Sequence, residues 1–525
     1  MIRIRNIKIS IENDNSSFIS KKISKILHIS NDEIIKISIN KKSLDARKKD
    51  NLFYVYELDL SLKNEQKILK KYKSKDLFEK PIEEYIFPKQ HANIESPIIV
   101  GSGPAGLFSA YVLAEHGYKP IVIERGEMIE ERVKSISTFL ETGKLNINSN
   151  IQFGEGGAGT FSDGKLNTLV KDKKFRCKKV FEIFVENGAP EEILYINGPH
   201  IGTDLLRNVI INMRNKMKSL GVVFKYNTTL TNLVIKDNKL EAIEVNNKKI
   251  IPCQNLLLAI GHSARDTFYM LYKNKLEMTS KPFAVGLRIE HPQAMINLNQ
   301  YGEKYANILP SASYKLTYQT KANRGVYSFC MCPGGYVINS SSEEGYLAIN
   351  GMSNHSRDTK NANSALVVTV NKDDFGSNPL SGIEFQRKLE EAAYNKESGK
   401  IPVQLLKDFQ NNKTSEKLGD VEVITKGAYA LSNLNDILPK FISDSIKEAI
   451  PNFAKKIKGY DRGDAILLGV ESRTSSPVRI IRNEFGMSNI SGIYPVGEGA
   501  GYAGGITTSA MDGLKAAEHL INNNL

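Results

Sequence analysis

Tryptophan is absent from this 525-residue chain, and cysteine occurs only at Cys177, Cys253, Cys330 and Cys332. So few thiols exclude a disulfide scaffold and fit a reducing cytoplasm. Long apolar runs are missing too. Nowhere do about 18 apolar residues follow one another uncharged, so no membrane-spanning helix is expected. The first ten residues, MIRIRNIKIS, hold no continuous apolar stretch, so no secretory signal is expected either. There is no repeat of fixed period, no low-complexity tract, and no His, Cys and Asp set at metal-ligand spacing. What is present is ordinary globular composition, 41% apolar and 25% charged, over a length that suits about three or four domains.

The net charge is +13, and +6 of it falls in the first 95 residues. Those residues read as a small α+β unit. Ile7, Ile9 and Ile11 alternate as one strand face, and Ile19, Ile23, Ile26 and Leu27 recur at helical spacing. Ile35, Ile37 and Ile39 alternate again, as do Leu52, Tyr54, Tyr56, Leu58, Leu60 and Leu62. Strand, helix, strand, strand suits a ferredoxin-like unit. Lys41, Lys42, Arg47, Lys48 and Lys49 fall to the loop between its last two strands. A solvated lysine-rich face is the simpler reading there, and contact with RNA the alternative. Residues 63–95 read as a connector broken by Pro81 and Pro88.

From Ser96 the character changes. A short apolar strand runs into Gly101-Ser102-Gly103-Pro104-Ala105-Gly106, a helix follows to Glu115, and a second apolar strand ends at Glu124-Arg125. This is a strand–helix–strand start with a glycine fingerprint. The first glycine allows the tight turn, the second lets a pyrophosphate approach the backbone, and the third lets helix and strand pack closely. The helix N-terminus adds free N–H groups and positive dipole. Glu124, 23 positions after Gly101, stands where a carboxylate accepts from ribose hydroxyls and repels a 2′-phosphate. GEGGAG at Gly154–Gly159 and GAGYAG at Gly499–Gly504 fit the same pattern but lack that context.

Two further segments narrow the dinucleotide. Leu256–Ile260 is an apolar strand closing on Gly261-His262, and Gly492–Val496 is another, running into Gly497-Glu498-Gly499-Ala500 and Gly504-Gly505 before a helix. With the Gly101 loop this trio resembles the two-dinucleotide flavoproteins. The match extends to IQFGEGGAGTFSDGKLNT, GPHIGTDLLR, FCMCPGGYVINSSSEEG, NGMSNHSRD and GVESRTSSPVRI. Over nearly its whole length the chain resembles a family of uncharacterised bacterial FAD-dependent dehydrogenases. That family is distantly similar to glutathione-reductase-like and geranylgeranyl-reductase-like flavoproteins. The resemblance implies FAD and redox chemistry. It implies that Glu498 accepts from the ribityl chain or reaches the pyrophosphate through water, and that Gly499 and Ala500 offer N–H groups to phosphate. The Gly504-Gly505 turn would lie beside the flavin pyrimidine edge.

Candidate chemistry follows. The GEGGAGTFSDGKL loop offers close backbone approach at Gly157, a lone Phe161, and an ammonium, Lys165, suited to a reduced flavin anion. His200 is a candidate proton donor. His262 is expected to pack or cap near the phosphates. Arg473 could bind a carboxylate or enolate substrate bidentately, or else pair with a nearby carboxylate. Cys330 and Cys332, two apart in a strand, should share a face. Two buried strand residues is the simpler reading of them, and a redox pair or thiol nucleophile the alternative.

No second glycine fingerprint occurs between residues 200 and 470. NADH or NADPH, or an electron-carrier protein, must then reach the flavin without a dedicated domain. The expected fold is α/β: a Rossmann-like FAD/NAD(P)-binding fold with an inserted α+β substrate domain and an N-terminal ferredoxin-like α+β domain. The divisions are 1–94, 95–267, 268–465 and 466–525. The expected function is a cytoplasmic FAD-dependent dehydrogenase that passes hydride through flavin N5 to or from a small organic substrate. The alternatives are a flavin-dependent RNA-modifying enzyme and a non-catalytic flavin redox sensor.

Overall fold

The computed structural model describes residues 1–49, 51–89, 94–168 and 170–524. At the N-terminus the helix Ser16–Leu27 turns Ile19, Ile23 and Leu27 onto the apolar face of a four-stranded sheet. The strand order is Ile34–Asp45, Phe53–Leu62, Ile2–Ser10, Leu77–Glu79, with every neighbour antiparallel. This is the order of a ferredoxin-like split βαβ unit. Two expectations change. Residues 63–95 are more than a connector, because they supply the helix Glu65–Lys71 and the edge strand Leu77–Glu79. Lys41 and Lys42 lie in a strand rather than a loop. Lys42 is tied to Asp14 at 2.6 Å, and Arg47 to Asp45 at 2.6 Å.

The second unit is a five-stranded parallel sheet in the order Ile493–Pro495, Leu256–Leu258, Ile98–Val100, Ile121–Ile123, Val223–Lys225. The strands Ile493–Pro495, Leu256–Leu258 and Ile98–Val100 are short, apolar and fully buried, as a parallel sheet covered by helices requires. The helix Pro104–Glu115 starts with Pro at its first turn and is apolar nearly all round, so it is buried. It lies against the last helix, Ile506–Asn523, where Gly513 permits backbone contact: a Cβ there would sit 2.3 Å from the Ala105 carbonyl. This contact joins the first glycine segment of the chain to the last.

The third unit is a seven-stranded sheet whose middle strands, Asn361–Val370, Phe283–Pro292 and Ile466–Glu471, are almost wholly buried. Alternation along Phe283–Pro292 sends Val285, Leu287 and Ile289 into the largest core and leaves Arg288 on the other face. On the other side of that core the helix Lys440–Ala454 starts after Pro439, which stands at its N-cap.

Candidate functional site

One cavity collects the glycine segments and opens onto the seven-stranded sheet. Gly101, Gly103, Pro104, Ala105, Glu124, Arg125, Gly157, Lys165, Gly261, His262, Arg473, Glu498, Gly504 and Gly505 all line it. Gly106 does not. It packs behind the loop, where a Cβ would lie 1.9 Å from the Gly101 carbonyl, the helix–strand contact expected of the third glycine. Gly497 and Gly499 are also packing glycines: their Cβ atoms would lie 2.7 Å from Ala105 Cβ and 2.5 Å from the Gly261 carbonyl. Ala500 is fully buried.

Glu124 has a use the sequence did not suggest. One carboxylate oxygen accepts from the Ser102 N–H at 2.9 Å and the Ser102 hydroxyl at 2.7 Å. The other accepts from the N–H groups of Gly126 at 2.9 Å and Gly154 at 3.1 Å. A carboxylate offers about four acceptor positions, so the chain itself fills all of them. Glu124 lines the cavity and at the same time ties the Gly101 loop to the Gly154 loop. Arg125 reaches Asp266 at 2.8 Å and lies over the Phe153 ring.

The Gly154–Gly159 loop is held from behind by Arg132. Its guanidinium donates to the carbonyls of Asn150, Ile151, Gly154, Glu155 and Gly157 at 2.6–3.2 Å. Phe161, expected beside the cofactor, is fully buried under the loop with Arg132 at 4.6 Å and Arg207 at 4.7 Å from its ring centroid. Two guanidinium groups occupy the π faces that a flavin would need.

At the sheet end of the cavity the charges are close. Lys165 Nζ lies 3.3 Å from Asp163, but it makes no well-aligned hydrogen bond. Asp163 is instead closed by Arg357, whose Nε donates at 3.0 Å, and by the Ser353 hydroxyl. Burial works against both ions. Lys165 and Arg357 together hold Asp163 below its usual range, and Asp163 holds the Lys165 ammonium above its own. Arg288 meets Glu471 in a bidentate pair at 2.9 and 3.0 Å and also donates to Asn363, Asn350 and the Cys330 carbonyl. Arg473 pairs with Glu390 at 2.9 and 2.7 Å and with the Ser342 hydroxyl, so of its two expected uses the carboxylate pair is the one present. His262 is kept neutral, pushed down to about 3 by burial and by Arg473 and Arg265.

His200 does not reach the cavity. Its Nε2 lies 3.0 Å from the His355 carbonyl, its ring stacks on His355, and its backbone pairs with Lys165. Burial and Arg357 push it down to about 4, so it is a neutral prop behind the Lys165 segment. Cys330 and Cys332 are not two steps of one regular strand repeat. An extra residue between Phe329 and Cys332 shifts the register against Asn361–Val370, so Cys330 lines the cavity while Cys332 is fully buried. Sequence spacing could not foresee this bulge. The charged residue Arg288 inside an apolar strand was a readable signal of the buried pair. Arg357 and Glu390, distant in sequence from their partners, left none.

The cradle fits a dinucleotide such as FAD. A Cβ on Gly103 would meet nothing closer than Gly157 Cα at 3.7 Å, and one on Gly504 would meet nothing within 4 Å. The fold therefore has room for side chains at these two positions, and the bare backbone is explained by a ligand lying on it. When loaded, Gly101, Gly103 and the helix start at Pro104 would hold the pyrophosphate.

Residues 282–474 match a family described as FAD-dependent protein, C-terminal domain-like. Residues 99–144 match an NAD(P)-binding Rossmann-like domain, and residues 1–61 a domain of unknown function. An uncharacterized protein of Clostridium beijerinckii is 49% identical over 528 residues, covering 99% of this chain and 98% of its own. Among solved structures, L-proline dehydrogenase from P. horikoshii is 13% identical and covers 82% of this chain and 94% of its own, with a TM-score of 0.35. A triple mutant of the flavin-dependent brominase Bmp2 is 12% identical over 82% of this chain and 80% of its own, with a TM-score of 0.37. Scores of this size carry over neither an arrangement nor an activity.

Proposed function

The chain belongs to the family of FAD-dependent oxidoreductases that includes its Clostridium beijerinckii relative, and on that premise we propose that it is a dehydrogenase acting on a small organic anion. One observation carries this reading. The cavity that is lined by the Gly101 loop is also lined by Glu471 of the seven-stranded sheet, by Asn350 of a neighbouring three-stranded sheet, by Thr474 and by Lys165. A nucleotide laid along the glycine segments would thus direct its far end toward a polar pocket holding an unsatisfied ammonium. FAD, when bound, supplies two-electron chemistry at flavin N5.

The chain's own residues do the rest. Lys165 places positive charge where an anionic group of a substrate or a reduced ring gathers negative charge. Asp163 and Arg357 fix that lysine in position. Asn350 and Glu471, both held by Arg288, offer a carbonyl and a carboxylate already oriented at the wall. Neutral His262 borders the pocket without adding charge. Of the five cations that motivate the RNA-modifying alternative, Lys42 and Arg47 are paired with Asp14 and Asp45. Among the described residues no helix is long and apolar enough to cross a membrane.

The test is an anaerobic absorbance titration of the purified protein with NADH, then NADPH, then candidate small acids. Bleaching of a flavin band at or below one equivalent supports the dehydrogenase and names its donor. A band that only a protein carrier can bleach replaces nicotinamide with that carrier. A colourless protein that takes up no added FAD overturns the reading.

A further inference from the structure

Cys330 is the part of the cavity wall that the proposed function leaves unused. The residue is partly exposed and lines the cavity. The bulge that turns it there costs backbone strain: its φ is +43°, in the left-handed region that a residue with a Cβ avoids. Bulges of this kind re-aim side chains beside functional sites.

The surroundings favour a sulfur anion. Lys165, whose Nζ is buried without a hydrogen-bond acceptor, lines the same cavity. Arg288 donates to the Cys330 carbonyl at 3.2 Å. Three carboxyl groups oppose these cations, Asp163, Glu471 and Glu498. Asp163 is closed by Arg357, Glu471 is closed by Arg288, and burial lifts Glu498 toward its neutral form. The Asp163, Arg357 and Lys165 group therefore keeps one positive charge in excess. The neighbouring Cys332 thiol, with Lys165 and Arg288, outweighs burial and lowers the Cys330 pKa. Cys177 is the internal contrast. It is also partly exposed, but burial and Asp172 push it up to about 11.

We propose that Cys330 is a nucleophilic thiol, presented to the cavity by the bulge and activated by Lys165, and that it is the site where this protein is modified by carbon electrophiles. In the step itself the thiol proton goes to water and the sulfur forms a bond to the electrophilic carbon. With iodoacetamide as the probe, the carbon–iodine bond breaks and iodide leaves.

The experiment is timed iodoacetamide labelling of the reduced full-length protein across pH 5–10, with each cysteine quantified by mass spectrometry. On FAD-free protein, Cys330 should be alkylated about tenfold or more faster than Cys177 at pH 7, with a midpoint well on the acid side of the usual thiol value. Lys165→Met should move that midpoint upward and Lys165→Arg should keep it. Equal rates at Cys330 and Cys177, a midpoint indifferent to Lys165→Met, or recovery of Cys330 only as a disulfide with Cys332 would each overturn the proposal. The wild-type comparison stands even where a variant fails to fold. Repeating the labelling with FAD bound tests the cofactor reading separately: protection supports it, and unchanged labelling counts against the flavin reaching this end.

Discussion

Arg473 meets Glu390 edge to edge, Nε to one carboxylate oxygen at 2.9 Å and Nη2 to the other at 2.7 Å, and Arg265 grips the same carboxylate from the opposite side at 2.7 and 2.8 Å. All three side chains are buried, and Glu343, 2.6 Å from Arg265 and 3.8 Å from Arg473, is a second anion beside the cluster.

Replacing Glu390 with Gln should be severe, since it leaves two buried guanidinium groups to share the single carboxylate of Glu343. A loss of roughly 3–5 kcal/mol is expected, read from urea unfolding. Burial alone would raise the Glu390 pKa, but Arg265 and Arg473 outweigh it and hold the carboxylate far below its usual 4.5. A depressed carboxylate contributes stability that is present above its unfolded value and is lost only as pH falls through the folded one. The gap between wild type and Glu390→Gln should thus stay constant from pH 8 down to about 4.5 and close only in stronger acid.

Glu498 predicts the opposite slope. Burial lifts its carboxyl from 4.5 to about 7, against the Gly505 N–H and Lys281. Between those values the folded chain keeps a proton that the unfolded chain releases, so wild-type stability falls as pH rises, by up to about 3 kcal/mol. Glu498→Gln should lack that slope, match wild type near pH 4.5 and exceed it at pH 8. Thermal unfolding of FAD-free protein across this range decides it.

The glycines separate into two kinds. Gly106→Ala would force a Cβ to 1.9 Å from the Gly101 carbonyl and should cost about 3 kcal/mol or the fold itself. Gly103→Ala has ordinary contacts and should leave the melting temperature unchanged while weakening FAD binding by about tenfold or more. Flavin fluorescence quenching measures the affinity, and an unaltered Kd in Gly103→Ala would show that no pyrophosphate lies there.

Glu124→Gln should couple the two loops' fates. Its amide group would turn a donor toward the N–H groups of Ser102, Gly126 or Gly154, leaving one unmet at a cost of about 1–3 kcal/mol. Hydrogen exchange should quicken at Ser102 and Gly154 together. Quickening at one loop alone would mean that the carboxylate does not link them.

Much of the nucleotide unit was legible, because short apolar strands and glycine turns are local signals. Ile98–Val100, Pro104–Glu115, Ile121–Ile123, Leu256–Leu258 and Ile493–Pro495 fall where the pattern placed them. The far end of the cavity was not legible. Cys330 reaches it through a bulge that a two-residue period cannot encode. Arg473 finds Glu390 across 83 positions, and Asp163 finds Arg357 across 194, with no spacing to announce either. Phe161 and His200 looked like site residues because they sit in unusual polar loops, but such loops also need props.

Arg132 is one such prop, and it has a thermodynamic consequence. A glycine-rich loop has more conformations to lose than any other kind, and a ligand that had to order it would bind weakly. By gathering five carbonyls around one guanidinium, the chain settles that entropy when it folds, so the Gly154–Gly159 segment meets the nucleotide already shaped. Affinity for the cofactor is thus set partly by a side chain that never touches it.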